Sequence, residues 1–104
     1  MELPQVLTAL IQAQDDFDSH AYANCFSETA IVEDEKKTYK GRAEIQQWIQ
    51  KANEDYQTKI KPLEYSESEQ MLSAEISGTF EGSPLEIKFY YKIDNGLIQS
   101  MKTD

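Results

Sequence analysis

Cysteine and histidine each occur once in this 104-residue chain, as Cys25 and His20. A lone cysteine excludes an internal disulfide and a thiolate metal site of the usual spacing. A lone histidine excludes a histidine pair for a metal, and no carboxylate stands at metal-triad spacing from it, so no metal and no cofactor are expected. Basic residues are scarce, 10 Lys and Arg against 19 Asp and Glu, and the formal charge is −9. That balance argues against nucleic acid, which needs clustered lysine and arginine, and against anionic membrane surfaces. No apolar run approaches transmembrane length, and Met1-Glu2-Leu3-Pro4 lacks the basic head and apolar run of a signal peptide. A soluble cytoplasmic protein is expected. Gly78, Gly82 and Gly96 make no phosphate-cradling pattern. The acidic clusters Asp15/Asp16/Asp18 and Glu67/Glu69 lack the glycine and terminal glutamate of a calcium loop, so both read as solvated faces.

What is present suffices for one folded domain. Hydrophobic residues make up 39% of the chain and aromatics 11%, with no linker-like tract, repeat or low-complexity stretch. A domain of this size buries roughly two thirds of its unfolded surface, enough for one core and one modest cavity.

Leu3, Val6, Leu7, Leu10, Ile11, Gln14 and Phe17 keep helical spacing, with Pro4 in the first turn. The crowded Asp15, Asp16 and Asp18 predict a break, since carboxylates oppose a helix C-terminus and favour the next N-terminus. Asp18 or Ser19 then caps a short second helix with Ala21, Tyr22, Cys25 and Phe26 on its buried face. Cys25 there reads as a buried, inert thiol and His20 as exposed. Thr29 to Asp34 alternates as a strand, with Ala30, Val32 and Asp34 on one face and Ile31 and Glu33 on the other. Glu35 to Gly41 reads as a polar connection. A third helix follows, carrying Ile45, Trp48, Ile49 and Ala52 on one face.

Beyond Tyr56 the period changes to two. Pro62 interrupts the first of these strands and implies an edge position or a bulge. Ser66 to Glu69 is a turn. Leu72, Ala74, Ile76, Gly78 and Phe80 then face Leu85, Ile87, Phe89, Tyr91 and Ile93 if Phe80 pairs with Leu85 and Ile76 with Phe89. In that register Glu81 to Pro84 is the hairpin loop, and Glu75 opposes Tyr90 and Ser77 opposes Lys88 on an outer, half-polar face. Asn95-Gly96 predicts a two-residue hairpin turn pairing Ile93 with Ile98, which places Ser100 and Lys102 on the core face. A three-residue loop would instead turn Leu97, Gln99 and Met101 inward. The fold class expected is α+β: a curved, cone-shaped antiparallel sheet wrapped around three helices.

The stretches Phe26 to Asp34 and Tyr39 to Trp48 resemble the core pattern of the nuclear transport factor 2-like superfamily. That pattern is a phenylalanine, an acidic turn, a strand ending in aspartate, then a glycine opening the third helix. Gly78 to Pro84 and Asp94 to Ile98 resemble hairpins of its small SnoaL-like bacterial members. The resemblance implies a cavity between sheet and helices and a homodimer packed through the sheet face. The superfamily holds isomerases, cyclases, dehydratases and binding modules, so it leaves activity open.

Asp34 is the candidate catalytic residue. On an inward strand face it could act as general base on a C–H beside a carbonyl, and it matches by resemblance the base of ketosteroid isomerase. The other reading is a strand-end carboxylate that caps a turn or pairs with Lys36, Lys37 or Arg42. By the same resemblance, the oxyanion-hole tyrosine of that isomerase falls on Leu10 and its second acid on Lys88 or Phe89. Neither position reproduces that tyrosine and protonated acid, which argues against steroid isomerisation. The expected ligand pocket comprises Phe17, Tyr22, Phe26, Val32, Asp34, Tyr39, Trp48, Phe89 and Tyr91; core packing is the alternative for each ring. Three functions follow: binding of a small, largely apolar organic ligand; a SnoaL-like isomerase, cyclase or dehydratase with Asp34 as base and Tyr22, Tyr39 or Trp48 as orienting donors; or a dimeric interaction module using the outer face around Tyr90 and Lys88.

Overall fold

The computed structural model describes residues 2–103, so Met1 and Asp104 lie outside the described residues. The elements in order are α1 (Gln5–Asp15), α2 (Ser19–Asn24), β1 (Phe26–Asp34), β2 (Lys37–Lys40), α3 (Gly41–Tyr56), β3 (Lys59–Ser66), β4 (Met71–Ser77), β5 (Leu85–Asp94) and β6 (Leu97–Thr103). The strands form one curved, unclosed sheet in the order β2-β1-β6-β5-β4-β3. Three helices pack on its inner face, and none among the described residues is long and apolar enough to cross a membrane.

The helix break falls at Asp16-Phe17-Asp18 for a definite reason. The Asp18 amide donates to Ala13 O at 2.9 Å and the Phe17 amide to Gln14 O at 3.1 Å, while Phe17 takes φ 53°. This is the left-handed helix stop usually given to glycine. It ends the apolar stripe at Gln14 and turns Phe17 outward, 41% exposed, beneath the Lys59 ammonium. Asp18 then caps α2, its Oδ1 accepting from the Ala21 amide at 3.0 Å. Phe26 belongs to β1 rather than to the second helix, and it is wholly buried.

The expected polar connection after Asp34 contains a strand. Glu35 and Lys36, at φ 50° and 67°, make a two-residue hairpin turn into β2, which pairs Val32 with Tyr39 and Asp34 with Lys37. Two positive φ values are what such a turn demands, and Glu-Lys does not advertise them as Asn-Gly does.

Ladders are antiparallel except β1–β6, which is parallel. A parallel pair needs a long crossover, and the chain from β2 to β5 supplies it. Pro62 sits on the edge strand β3 beside a bulge at Leu63, since Pro62 faces Ala74 and Glu64 already faces Ser73.

Two registers differ from the sequence expectation. Ile76 pairs with Leu85 and Leu72 with Phe89, so the β4–β5 ladder keeps the same faces but slides by four residues. The slide removes Gly78 to Phe80 from the ladder. The Thr79 amide instead donates to Tyr56 O at 2.7 Å, and the Phe80 ring meets Tyr56 edge to face at 6.1 Å. Gly78 permits this approach, because a Cβ there would stand 2.5 Å from Tyr56 O. Glu75 now opposes Glu86 on the outer face.

In the second case the Asn95-Gly96 turn pairs Ile93 with Ile98 as expected, but the register then slips by one, so that Lys92 faces Ser100 and Tyr91 faces Met101. Met101 therefore enters the core, 1% exposed, and Ser100 and Lys102 leave it. Leaving one residue of a ladder unpaired costs about 1 kcal/mol. Burying an unpaired lysine costs several times that, and burying methionine is worth roughly 1.5–3 kcal/mol. The bulge wins. Leu7, Leu10, Phe26, Val32, Ile45, Leu72, Ile98 and Met101 form the centre of the core.

Candidate functional site

Because the sheet does not close, α3 and the concave face stand apart and leave an open cleft of about 1080 Å³. Trp48, Ile49, Ala52 and Tyr56 line it from α3, at the spacing that puts them along one side of a helix. Ile76, Ile87 and Phe89 line it from β4 and β5, and Phe80 from the loop that leaves the ladder. Leu85 also borders the cleft, 45% exposed, an apolar side chain facing open space.

One end of the cleft is polar. Ala30 and Val32 face the core, which turns Asp34 on the same face inward at the end of β1. Its Oδ1 accepts from Thr103 Oγ1 at 3.0 Å. Arg42 donates from Nε to Phe26 O at 2.8 Å and reaches Glu28 at 3.9 Å, so it is occupied elsewhere. Among the described residues Asp34 makes no ion pair with Lys36, Lys37 or Arg42. Around it Tyr39 stacks on Trp48 with centroids 5.4 Å apart, and Tyr22 meets Trp48 at 6.3 Å and a 61° tilt.

Tyr22 is 2% exposed yet borders the cleft. Burial above all, then Cys25 and Asp34 nearby, push its phenol well above the ordinary tyrosine range. It therefore stays protonated and can donate a hydrogen bond. Burial likewise raises Cys25, whose thiol points at Ala21 O, as expected of an inert thiol.

The structure brings Tyr22, Asp34, Tyr39, Trp48 and Phe89 together on the cleft wall. It does not bring the other pocket candidates there. Phe26 and Val32 are packed wholly inside the core, Tyr91 is buried behind Phe89 with their rings 6.1 Å apart, and Phe17 lies on the outside. The sequence reading of the pocket omitted Thr103, Tyr56 and Gln14. Gln14 was read as part of an apolar stripe, yet it is 1% exposed and lines the cleft. Its Nε2 reaches Asn53 Oδ1 at 2.8 Å, Thr58 O at 2.7 Å and Thr58 Oγ1 at 2.8 Å, joining α1 to α3 and β3. Its Oε1 is buried without a protein partner. A polar residue inside an apolar helical stripe is the signal that could have marked it. Among the described residues no group of three or more His, Cys, Asp or Glu side chains is placed to hold a metal ion.

No protein-family model matches the chain, and no curated protein matches it in sequence. Solved structures match it closely. A provisionally named polyketide cyclase from Sinorhizobium meliloti superposes with TM-score 0.92 at 27% identity, covering 98% of this chain and 95% of its own. A hypothetical protein of ketosteroid isomerase-like fold from Catenulispora acidiphila, in complex with trimethylamine, gives TM-score 0.88 at 16% identity over 99% and 86%. A nuclear transport factor 2-like protein of unknown function from Cytophaga hutchinsonii gives 0.76 at 13% identity over 95% and 85%. The chain has the nuclear transport factor 2-like fold.

Likeness to structures provisionally named polyketide cyclases is consistent with the resemblance of its hairpins to SnoaL-like members. Within this fold, Leu10 is a core residue and Lys88 lies exposed on the outer sheet face, so neither stands as a donor in the cleft. Phe89 is turned inward but offers no proton. Tyr22, Tyr39 and Trp48, the donors expected to accompany Asp34, all border the cleft.

Proposed function

We propose that this nuclear transport factor 2-like protein binds a small organic molecule in the cleft between α3 and the concave sheet, in the cytoplasm. One observation carries the reading: apolar side chains, among them the 45% exposed Leu85, face an open cleft instead of closing into a packed core. Aromatic rings on both walls supply contact area, and Asp34 with Tyr22 supplies a polar end that would orient the ligand. A thermal-shift screen over small aromatic and aliphatic compounds tests it. A binder at well above its dissociation constant raises the melting temperature by several degrees, and Trp48→Leu removes the effect. Failure of every compound, together with Trp48 fluorescence that responds to none, rejects the proposal.

A second reading is favoured by Asp34 standing free of lysine and arginine beside a phenol held protonated. In it Asp34 takes a proton from carbon next to a substrate carbonyl while Tyr22, Tyr39 or Trp48 donates to the developing oxyanion. Asp34→Asn would then abolish turnover and retain binding; unchanged turnover rejects the base assignment. We further propose that copies of the chain pair through the outer sheet face, where Tyr90 is 36% exposed between Met71 and Lys102. Sedimentation should show a dimer that Tyr90→Glu disperses, and a wild-type monomer at high concentration rejects this part.

A further inference from the structure

The charged groups bordering the cleft are unequal in sign. Asp34, Glu35, Glu44, Asp55 and Glu81 line it, against Lys37 and Lys51. Lys51 is already engaged by Asp55, with Nζ to Oδ2 at 3.1 Å. No arginine borders it, and no salt bridge reaches Asp34, Glu35 or Glu81 among the described residues. Electron-rich rings stand at the Asp34 end of the cleft: Tyr39 lies opposite Val32 on β2 and stacks on Trp48, and Tyr22 meets Trp48 and is close enough to Asp34 to feel its charge.

An anionic ligand would meet the half-buried Asp34 and a rim of exposed carboxylates, which repel it. A neutral carbonyl compound would use the donors of Tyr22 and Trp48 but would leave the charge of Asp34, which accepts from Thr103 Oγ1, without a counter-ion among the described residues. A cation supplies that counter-ion. Its positive charge compensates Asp34, and its polarised C–H or N–H groups lie against indole and phenol faces, which attract cations through the ring quadrupole. The protein's overall charge of −9 would also draw cations toward the cleft.

We infer that the cleft takes an organic ammonium ion, its nitrogen beside Asp34 and among Trp48, Tyr39 and Tyr22. This rests on the cleft being a ligand site and adds the charge class of the ligand. Two probes of nearly equal shape test it: choline, and 3,3-dimethylbutan-1-ol, in which carbon replaces the charged nitrogen. Each is titrated into the full chain at constant ionic strength, read by the fluorescence of Trp48, the single tryptophan. Choline should bind saturably and about tenfold or more tightly than the alcohol. Asp34→Asn should bring the two affinities together, with circular dichroism and melting temperature confirming that the variant is folded. Trp48→Phe, which keeps a ring but weakens its quadrupole, should reduce choline affinity more than alcohol affinity.

If the alcohol binds as tightly as choline, or Asp34→Asn leaves their ratio unchanged, the cation assignment is overturned while the cleft remains a ligand site. If neither probe binds at millimolar concentration, the ammonium assignment falls, and the compound screen alone decides whether the cleft takes ligands at all.

Discussion

Thr103 Oγ1 donates to Asp34 Oδ1 across 3.0 Å, tying the end of β6 to the end of β1. The bond fixes the carboxylate at the polar end of the cleft and exists only because the bulge in β6 turns Thr103 to the inner face beside Phe89. Thr103→Val keeps the shape and deletes the donor, and should lower stability by about 1 kcal/mol in urea denaturation. Asp34→Asn retains an acceptor oxygen and should cost less than half as much. The reverse order would mean that Asp34 draws its stabilisation from a charge elsewhere.

Gln14 is the buried clasp between three elements. Gln14→Leu leaves Asn53 Oδ1 and Thr58 O without their donor and should cost about 2 kcal/mol by denaturant midpoint. Gln14→Glu should be worse at neutral pH, because an anionic oxygen would replace the donor facing Thr58 O at 2.7 Å. Acidification should narrow that deficit, since a protonated carboxyl can donate again. An equal cost at all pH values would show that the amide is not oriented toward Thr58 O.

Alkaline stability should be governed by two buried phenols. Burial chiefly raises both Tyr22 and Tyr91 above their ordinary value of 10.0, Tyr91 being further raised by Tyr22 and Cys25. Above about pH 10 the unfolded chain releases phenolic protons that the folded chain retains. Their stabilisation is therefore fully present below that pH and is lost as pH rises beyond it. Melting temperatures should fall from about pH 10 upward, and Tyr22→Phe or Tyr91→Phe should flatten the fall. Tyr91 Oη is also buried without a partner, so Tyr91→Phe should be neutral or stabilising by about 1 kcal/mol at pH 7. A loss of stability there would reveal a partner for the hydroxyl.

Glu75 and Glu86 stand directly opposite across β4 and β5. Like charges in that position repel, and the net charge of −9 adds to the penalty. Glu86→Lys should raise stability by about 0.5–1 kcal/mol at low salt and by less in molar salt. In the register read from the sequence, Glu75 opposes Tyr90 and this exchange would bring no such gain. The measurement therefore tests the sheet as well as the pair.

Most of the architecture was legible because it rests on local periodicity. The stripe of α1, the one-sided α3, the edge proline Pro62 and the Asn95-Gly96 turn are each set by a few neighbouring residues. Expectation failed where two local solutions were nearly equal in energy and a distant contact chose between them. The β4–β5 faces were read correctly, but sliding by an even number of residues preserves the faces, so apolar matching could not fix the register. Tyr56 O fixed it, by accepting from the Thr79 amide and drawing Gly78 to Phe80 out of the sheet. Phe17 continued the spacing of the stripe, yet backbone bonds to Ala13 and Gln14 reversed the chain before its ring could pack.

The sequence by itself determined an α+β chain with three amphipathic helices, an acidic surface, and Asp34 on the same strand face as Ala30 and Val32, because side-chain alternation and helical period act over short range. Only the tertiary structure decided that the sheet stays open, that a bulge carries Met101 inward and Thr103 to Asp34, and that Gln14 reaches the cleft from the first helix. Those outcomes depend on which distant backbone and side-chain groups find hydrogen-bond partners once the chain has closed on itself, and no short stretch of sequence contains that information.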